Sequence, residues 1–524
     1  MNLKPLNKFM RPPPFKMETL AAILQVLQSK SWAASLDLKD AYLHVPMHSS
    51  ARRWLRFYMN GAAYEFKVLP FGLSAAPRTF TRVVKAVAEY LRCQGVRIFV
   101  YLDDWLIVAP SPQLLQKDIR TVCDLVSRLG FIVNLEKSSL KPTQRITYLG
   151  ADLDFARGLV FPSMDRVTSL VRCARSLLRL TIVEVRLVLR MLGLMCSMID
   201  VLPYCRLRMR PLQRHLLQRY RAWIDPLHMK ISIPTSLHKS LTWWSNPRNL
   251  RQGIQFPPTP PTLTLTTDAS KQGWGAHLLH HRLSGLWSHA QARYHSNVLE
   301  LWAVHLALRQ LRPLVRGKKV AVRSDNMTVV CYVNKQGGTR SVLLCKEVTK
   351  LLRWCRRWDI SIVASHVPGM DNTLADALSR RLRPPPSDRP VRGSSVEWRL
   401  DPGVCARIFA RLDRPHIDLF AAQNNHQLPL YYARGTDERS AGADALSQDW
   451  QGIIGYAFPP IAIIPRVLAK VAQTDNCLIL LIAPWWPRQP WFVLLLDLLV
   501  SEPVRLPVLS RITPQKSLSE QSKP

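Results

Sequence analysis

The hydrophobic and polar positions of the chain predict a buried hairpin near residue 100. Two apolar runs, 98–100 and 105–108, flank the sequence Tyr-Leu-Asp-Asp at 101–104, and this arrangement is typical of a β-hairpin. The turn would bring the carboxylates of Asp103 and Asp104 together. Because adjacent carboxylates repel unless a cation neutralises them, the pattern predicts a divalent-metal site, although an Asp-Asp pair alone is also a common turn sequence.

A second set of patterned segments begins near residue 262. Residues 262–267 alternate polar and apolar side chains, which predicts a half-buried strand ending at Asp268. The following Gly-Trp-Gly-Ala at 273–276 predicts a turn. A helix is predicted to begin near Asn297, because Asn297 and Glu300 have the spacing of a capping box.

Further acids in this part of the chain follow predicted strands. Two apolar runs predict strands, the first leading into Asp325 and the second into His366. Asp376 lies ten residues after His366 in a stretch with helical spacing. Together with Asp268 and Glu300, these acids alternate between strand and helix.

The middle of the chain is predicted to be helical, with boundaries that proline marks. Residues 156–258 are rich in Leu and Arg with apolar positions at helical spacing, and we expect Trp243 and Trp244 to pack rather than to stack on bases. Prolines cluster at 257–261, and residues 381–395, rich in Pro, Arg and Ser, predict a linker.

Composition and charge indicate which kind of molecule the chain binds. Hydrophobic residues make up 47% of the 524 residues, which predicts several folded domains, and 72 Lys and Arg against 36 Asp and Glu give a net charge of +36. Such an excess favours nucleic acid as a partner. A membrane surface is the alternative, but the basic residues are spread along the chain rather than beside an apolar anchor.

Other sequence signals concern location and redox state. None of the ten cysteines has Cys-x-x-Cys spacing, so we expect reduced thiols and no zinc site. The amino terminus shows no secretory signal. The apolar run 477–500 is interrupted by prolines, which predicts a buried strand and a helix rather than a membrane span. The expected location is cytoplasmic or nuclear, not secreted.

Taken in order, the first half of the chain resembles a reverse transcriptase of the DIRS-type, gypsy-like retrotransposons. The motifs that carry the resemblance are Asp37 with Tyr42 (first palm motif), residues 69–77 (template- and nucleotide-facing motif), 101–104 (catalytic turn), 130–134 with Lys137, and Tyr148 to Gly150 (primer grip). The resemblance implies Asp37 and Asp103 as main metal ligands, with Asp104 in support. The expected ions are two Mg²⁺ per active site, with Mn²⁺ as the alternative. Asp40 is expected to be a solvated or salt-bridging acid.

The resemblance also assigns substrate-binding residues. Tyr42 would exclude the ribose 2′-hydroxyl as a steric gate, the alternative being an aromatic residue of the core. Gly72 suits close backbone approach to a ligand, beside Phe71 where many relatives carry glutamine. Lys137 would steady the departing pyrophosphate, unless it is a surface lysine. Tyr148 and Gly150 would belong to the primer grip.

One departure from the family concerns the fingers. Residues 2–7 resemble the end of the family's first motif block, and the family's strands that grip the triphosphate precede that block. Arg52 and Arg53 lie downstream of Asp37 and are not obvious replacements. We therefore expect incomplete fingers and weak or no primer extension from this chain.

The four alternating acids resemble those of a ribonuclease H. The resemblance implies that they hold two Mg²⁺ ions around the scissile phosphate (Asp268, Glu300, Asp325 and Asp376). His366 would assist proton movement or product release, and Asn372 occupies a position where relatives have an amide. Taken singly, Glu300 is equally a helix-cap acid and His366 a loop histidine. The expected substrate is the RNA strand of an RNA–DNA hybrid.

The C-terminal segment resembles a phage-type DNA adenine methyltransferase. That family needs Asp or Asn, then two prolines and an aromatic residue. Here Phe458 stands in place of the Asp or Asn, and Ile461 stands in place of the aromatic residue. We therefore expect a remnant fold without methyl transfer. The alternative is an unassigned α/β packing domain.

The sequence thus predicts an α/β and α+β multidomain chain. The expected domains are a right-hand polymerase palm with incomplete fingers (1–155), a helical thumb and connection (156–258), a ribonuclease H-like α/β domain (259–382), a linker (383–398), a methyltransferase-like α/β remnant (399–510) and a disordered tail (511–524). The expected function is RNA-directed DNA polymerisation with ribonuclease H, acting on RNA template, DNA primer, hybrid and dNTPs and not on membranes. The alternative is a degenerate or domesticated nucleic-acid-binding protein without catalysis. Oligomeric state is left open.

Overall fold

The computed structural model describes residues 2–380, 399–412, 414–422, 424–433 and 439–506. The predicted linker (383–398) and the predicted tail (511–524) lie outside these residues. Within them, the mixed α/β multidomain architecture predicted from the sequence is confirmed.

The first region (residues 2–162) is built on a four-stranded antiparallel sheet in the order β4-β5-β1-β6. Its elements are α1 (Lys4–Asn7), α2 (Leu20–Leu24), β1 (Trp32–Asp37), α3 (Ser49–Arg52), β2 (Arg56–Met59), β3 (Ala62–Glu65), α4 (Ala76–Cys93), β4 (Arg97–Tyr101), β5 (Asp104–Ala109), α5 (Pro112–Arg128), β6 (Ser139–Thr143), β7 (Arg145–Tyr148), β8 (Ala151–Asp154) and β9 (Leu159–Pro162). In α4, Phe80, Val84 and Leu91 recur at helical spacing and are buried in the core that includes Trp105. β4 and β5 form the predicted hairpin.

The second region (residues 163–258) is mainly helical, as its spacing of apolar residues predicts. It contains α6 (Met164–Arg179), β10 (Ile182–Glu184), α7 (Val185–Cys196), α8 (Cys205–Leu217), β11 (Lys230–Ser232), α9 (Thr235–Trp244), α10 (Pro247–Leu250) and β12 (Ile254–Gln255). Trp244 is fully buried, and the Arg208 guanidinium lies 3.8 Å from the ring centre of Trp243. β12 pairs with β9, so the end of this region returns to the first.

The third region (residues 259–380) has a five-stranded sheet in the order β15-β14-β13-β16-β17. Its elements are β13 (Leu263–Ala269), β14 (Gly273–Leu278), β15 (His281–Leu286), α11 (His289–Ala292), α12 (Ser296–Gln310), α13 (Arg312–Val315), β16 (Lys319–Ser324), α14 (Met327–Asn334), α15 (Val342–Arg357), β17 (Ser361–His366) and α16 (Thr373–Ser379). β13, β14 and β15 are antiparallel, whereas β16 and β17 run parallel to β13. Parallel pairing places Asp268 and Asp325 at the same edge of the sheet.

Two local predictions in this region are wrong. The segment 273–276, predicted as a turn, belongs to strand β14. Its glycines leave room for other backbone, since a Cβ on Gly275 would meet the Ala375 carbonyl of α16. The predicted capping box is also absent: His295 caps α12 by accepting the Asn297 backbone N–H at 3.2 Å, while the Asn297 side-chain oxygen accepts from Asn326 at 2.8 Å.

The C-terminal module (residues 399–506) contains a parallel five-stranded sheet in the order β20-β19-β18-β21-β22. Its elements are α17 (Pro402–Arg411), β18 (Ile417–Ala421), β19 (Leu430–Ala433), β20 (Gly442–Ala443), β21 (Ile454–Ala457), α18 (Ile464–Val471), β22 (Leu478–Leu481) and α19 (Phe492–Asp497). The apolar run 477–500 forms β22 and α19, as predicted. Among the described residues, every helix is too short or too polar to cross a membrane.

Candidate active sites

The hairpin between β4 and β5 gathers three acids, which we call the hairpin acids (Asp37, Asp103 and Asp104). Asp37 ends β1 and pairs in register with Asp104, and Asp103 lies in the turn. Leu102 precedes it with a φ of +55°, and its carbonyl accepts the Trp105 indole N–H at 2.9 Å. The buried tryptophan therefore fixes the turn from below.

The electrostatics of the hairpin acids follow from partial burial and from their mutual repulsion. Burial raises the pKa of Asp103, and the Asp37 charge raises it further. Burial also raises the pKa of Asp104, with added repulsion from Asp103 and Asp37. Lys137 lowers the pKa of both Asp103 and Asp104, so its charge lies near them. Within the described residues, the three carboxylates do not bring three ligand atoms within 4.8 Å of one another.

Aromatic side chains adjoin the hairpin acids. The Tyr42 ring lies 5.0 Å from the ring of Phe71 and 5.5 Å from that of Phe80. Burial raises the pKa of the Tyr42 phenol, and the Asp103 charge raises it further. Phe71 is exposed. Gly72 has a φ of +88°, but a Cβ there would touch only Leu3, at 3.9 Å, so the turn rather than crowding favours glycine.

The predicted primer-grip residues lie behind the hairpin. Tyr148 is buried, and its hydroxyl donates to the backbone carbonyl of Asp104 at 3.2 Å. Gly150 has a φ of +71° and faces the Arg166 guanidinium, which a Cβ would strike. The structure thus places Tyr148 in support of the hairpin and packs Gly150 against α6.

The edge of the third region's sheet holds a tighter group, which we call the sheet-edge acids (Asp268, Glu300 and Asp325). One ligand atom from each lies within 4.8 Å of the others. Asp268 comes from β13, Glu300 from α12, and Asp325 directly follows β16. Asp376 on α16 lies beside them: its charge raises the pKa of Asp268, but its carboxylate is paired with Arg380 at 2.7 Å.

Burial of the sheet-edge acids makes their charge costly without a cation. Burial raises the pKa of Glu300 to about 9, and repulsion from Asp268 and Asp325 adds to the shift. One Glu300 carboxylate oxygen, Oε2, is buried and has no hydrogen-bond partner among the described residues. Burial likewise raises the pKa of Asp268 to about 6. An orphaned buried oxygen within a set of oxygen donors fits a divalent metal ion.

Several residues position Asp268, and sequence reasoning missed one of them. The Ser379 hydroxyl donates to Asp268 Oδ2 at 2.7 Å. The signal was present, because Ser379 follows Asp376 by three residues and shares its helix face. Asn372 is buried and its amide contacts Asp268 Oδ1 at 3.4 Å and donates to the Thr267 carbonyl at 3.2 Å. A role for Asn372 in binding substrate stays a prediction.

His366 lies at the end of β17, beside Asp325. It pairs in register with Ser324, the residue before Asp325. Its charge lowers the pKa of Asp325, against the larger effect of burial, which raises it. A Cβ on Gly369 would lie 3.3 Å from Asp325 Oδ2, so the loop after β17 packs on this carboxylate.

Comparison with known proteins identifies two parts of the chain. Residues 1–153 match the family described as reverse transcriptase (RNA-dependent DNA polymerase), and residues 260–356 match the RNase H-like domain found in reverse transcriptase. Among curated relatives, the genome polyprotein of Petunia vein clearing virus (isolate Shepherd) is 23% identical over 424 residues, covering 76% of this chain and 18% of the relative. The enzymatic polyprotein of Figwort mosaic virus (strain DxS) is 24% identical over 404 residues, covering 72% and 55%.

The chain therefore spans at most about half the length of these curated relatives. Among solved structures, the foamy viral protease-reverse transcriptase in complex with RNA/DNA hybrid is similar at 16% identity and a TM-score of 0.44, covering 70% of this chain and 48% of that one. The same protein in complex with dsDNA is similar at 17% identity and a TM-score of 0.42, covering 70% and 74%. The family matches and the polyprotein relatives show that this chain carries a reverse transcriptase domain followed by an RNase H-like domain.

Proposed function

We propose that this chain is an RNA-directed DNA polymerase with a ribonuclease H activity that cleaves the RNA strand of RNA–DNA hybrids with Mg²⁺. The observation that carries the nuclease part is the geometry of the sheet-edge acids, whose ligand atoms lie within 4.8 Å of one another. Three buried or half-buried carboxylates so close together are destabilising unless a cation is bound. The unpartnered Glu300 oxygen supports the same reading.

The chain's own residues have distinct tasks at this site. Bound Mg²⁺ would polarise the scissile phosphate and lower the pKa of the attacking water. Ser379 and Asn372 orient Asp268 through the contacts at 2.7 and 3.4 Å. The Glu300 carboxyl must release its proton before it can act as a ligand, because its pKa is about 9 in the metal-free chain. His366, beside Asp325, is suited to carry a proton at the leaving group.

The hairpin acids support the polymerase part. Asp37 and Asp103 would hold the ions that bind the primer 3′-hydroxyl and the incoming dNTP, with Asp104 in support. Tyr42 adjoins Asp103 and its ring lies 5.0 Å from that of Phe71, which suits a ring packed under the sugar. Lys137 lies near both acids of the turn, which suits a contact with the triphosphate.

The net charge of +36 supports a duplex with a dense row of phosphates as substrate. An RNA–DNA hybrid offers 2′-hydroxyls on one strand only, so the nuclease would recognise the strand that it cuts across the minor groove. We expect binding to weaken strongly with added salt, because each neutralised phosphate releases counterions.

We also propose that the chain derives from a DIRS-type, gypsy-like retrotransposon and that its C-terminal module is a methyltransferase-like remnant. A parallel sheet and the Phe458-Pro459-Pro460-Ile461 sequence support the remnant. Phe458 replaces the polar residue that accepts an adenine amino hydrogen, and Ile461 replaces the ring that stacks on the flipped base, so we expect no methyl transfer to DNA. Transfer of a radiolabelled methyl group from S-adenosylmethionine to DNA would contradict this.

A cleavage assay on an end-labelled RNA–DNA hybrid tests the function. We expect cleavage that requires Mg²⁺ or Mn²⁺, stops with a chelator, and falls at least about a hundredfold in the Asp325→Asn variant. Asp359→Asn is the matched control, because Asp359 is an exposed acid of the same region. Hybrid binding without cleavage by the unmodified chain would instead support the degenerate nucleic-acid-binding protein.

A further inference from the structure

One face of the third region's sheet carries buried polar side chains. Leu265 and Val322 point into the apolar core, so Thr264, Thr266 and Arg323, which alternate with them, lie on the opposite face. There α16 packs on β14 and β13. Helix α16 has seven residues and is about 10 Å long, so it is too short to cover the whole sheet, whose five strands span about 19 Å. Nevertheless Thr266 and Arg323 are only 4% and 6% exposed.

The C-terminal module covers the part of this face that α16 leaves. The Thr264 hydroxyl donates to the Ser447 hydroxyl at 3.0 Å. The Arg323 guanidinium lies 3.9 Å from the Asp444 carboxylate. Both Asp444 and Ser447 belong to the short segment between β20 and β21, so this segment is docked over β13 and β16.

The same module also contacts the first region. Arg97 on β4 pairs with Asp497 on α19 at 2.7 Å, and Arg488 pairs with Glu89 on α4 at 2.6 Å. The guanidinium of Arg92, which is buried, donates to the Arg488 carbonyl at 3.1 Å. These contacts join the module to the elements that lead directly into the hairpin acids.

Apolar packing accompanies these polar contacts. Trp491, Phe492 and Leu494 are buried in one continuous hydrophobic cluster with residues of the first and second regions, including Leu153 and Leu170. The module therefore shares a core with the polymerase half of the chain rather than touching it only at charged surfaces. Buried aromatic area of this kind holds elements together more strongly than exposed ion pairs.

The second region supplies another attachment of the third region. Arg210 on α8 donates to the Lys335 carbonyl at 2.6 Å, and the Leu207 backbone N–H donates to the Gln336 side chain at 3.3 Å. With the module docked over β13 and β16, the third region is thus held at two separate surfaces. A body held at two separated surfaces cannot rotate about either one.

We propose that the C-terminal module acts as an intramolecular brace, which fixes the sheet-edge acids and the hairpin acids in one relative arrangement. Its residues, 399–506, lie outside both matched ranges, 1–153 and 260–356. The brace is a positioning function and does not depend on catalysis by either site. Two observations carry it: the shared core around Trp491 and Phe492, and the acids Asp444 and Asp497, which face arginines of the two regions that the module joins.

Charge reversal in the full chain tests the brace. The variant Asp444→Arg/Asp497→Arg places like charges at both surfaces, and Asp475→Arg/Glu502→Arg is the control, since both control acids are exposed and belong to the same module. We expect the interface variant to show a larger radius of gyration by small-angle scattering. We also expect amide hydrogen exchange at least about tenfold faster at 444–447, with the control unchanged.

A rescue separates loss of the contact from general damage. Combining Arg97→Asp with Asp497→Arg restores the opposite charges at one surface, and we expect it to recover slow exchange at 492–497 relative to Asp497→Arg alone. Scattering and exchange equal to those of the control would overturn the proposal. If charge reversal prevents folding, Asp444→Asn/Asp497→Asn serves instead: faster exchange at both surfaces supports the brace, and exchange equal to that of Asp475→Asn/Glu502→Asn overturns it.

Discussion

Replacing Gly275 by alanine is expected to displace the helix that carries Asp376. Gly275 lies in β14, directly beneath α16. A Cβ there would meet the Ala375 carbonyl, lie 2.5 Å from the Ser379 backbone nitrogen and lie 2.6 Å from the Leu378 Cβ. The obstacles are mainly backbone atoms of one short helix, so a change of rotamer cannot relieve the contact.

The size of the displacement follows from these distances. Carbon atoms in contact are normally separated by about 3.5 Å or more, so α16 must retreat by about 1 Å. Overpacking of this kind costs about 1–3 kcal/mol of the free energy of unfolding. The retreat also shifts Ser379, whose hydroxyl holds Asp268 at 2.7 Å. Since a misplacement of about 1 Å at a catalytic group can reduce a rate by about a hundredfold, we expect hybrid cleavage to fall by about that factor.

The assay compares Mg²⁺-dependent hybrid cleavage and urea unfolding of Gly275→Ala with those of Gly193→Ala. Gly193 lies within helix α7, where a Cβ meets nothing within 4 Å, so its variant should match or slightly exceed the unmodified chain in stability. Full cleavage activity and unchanged stability in Gly275→Ala would refute the reasoning that close packing of α16 on β14 positions the site.

Three further predictions concern charged groups. Because the pKa of Glu300 is about 9 rather than 4.5, the folded metal-free chain keeps a proton that the unfolded chain releases. Its free energy of unfolding should therefore fall as pH rises from about 4.5 to about 9, by up to about 3 kcal/mol at pH 7. Hydrogen exchange of β13 in chelator should show this fall, and Glu300→Gln should lessen it; a variant less stable than the unmodified chain at pH 7 would contradict the cause. Asp37→Asn should remove the weak primer extension expected of the chain and spare hybrid cleavage in paired assays, whereas Asp40→Asn should leave both unchanged; equal loss in the two variants would count against the assignment. Arg92→Ala should cost about 3–5 kcal/mol by denaturant unfolding, because it removes the cation paired with the buried Glu18 at 2.8 Å, although the Val100 backbone N–H still donates to that carboxylate. A loss below about 1 kcal/mol would show that water reaches this pair.

Sequence patterns predicted the elements that carry most of the acids. The strands that end at Asp268 and lead into Asp325 could be predicted because each is a local alternation or a short apolar run. The hairpin around Asp103 was equally visible from its flanking apolar runs. The parallel pairing of β13 with β16 brings Asp268 and Asp325 to one edge of the sheet, and the local patterns did not specify that pairing.

The errors have a common physical origin in contacts that are distant in sequence. Glycine in a polar setting usually marks a turn, but Gly275 is required by α16, which follows about a hundred residues later. Likewise Asn297 was a reasonable helix cap by spacing, yet its side chain accepts a hydrogen bond from Asn326, so His295 caps the helix. Local propensity alone does not report partners of this kind.

The left-handed backbone conformation of Leu102 implies a conflict between thermal tolerance of the fold and the rate of DNA synthesis. A leucine with a φ of +55° is less favourable than glycine or asparagine by about 1–2 kcal/mol, and here it is retained beside Asp103 with its side chain packed on the core. If a saturation library at this position were selected for thermal tolerance, glycine and asparagine should be enriched. If it were selected for DNA synthesis, glycine and asparagine should be depleted, because a more flexible turn would hold the Asp103 carboxylate less firmly in position.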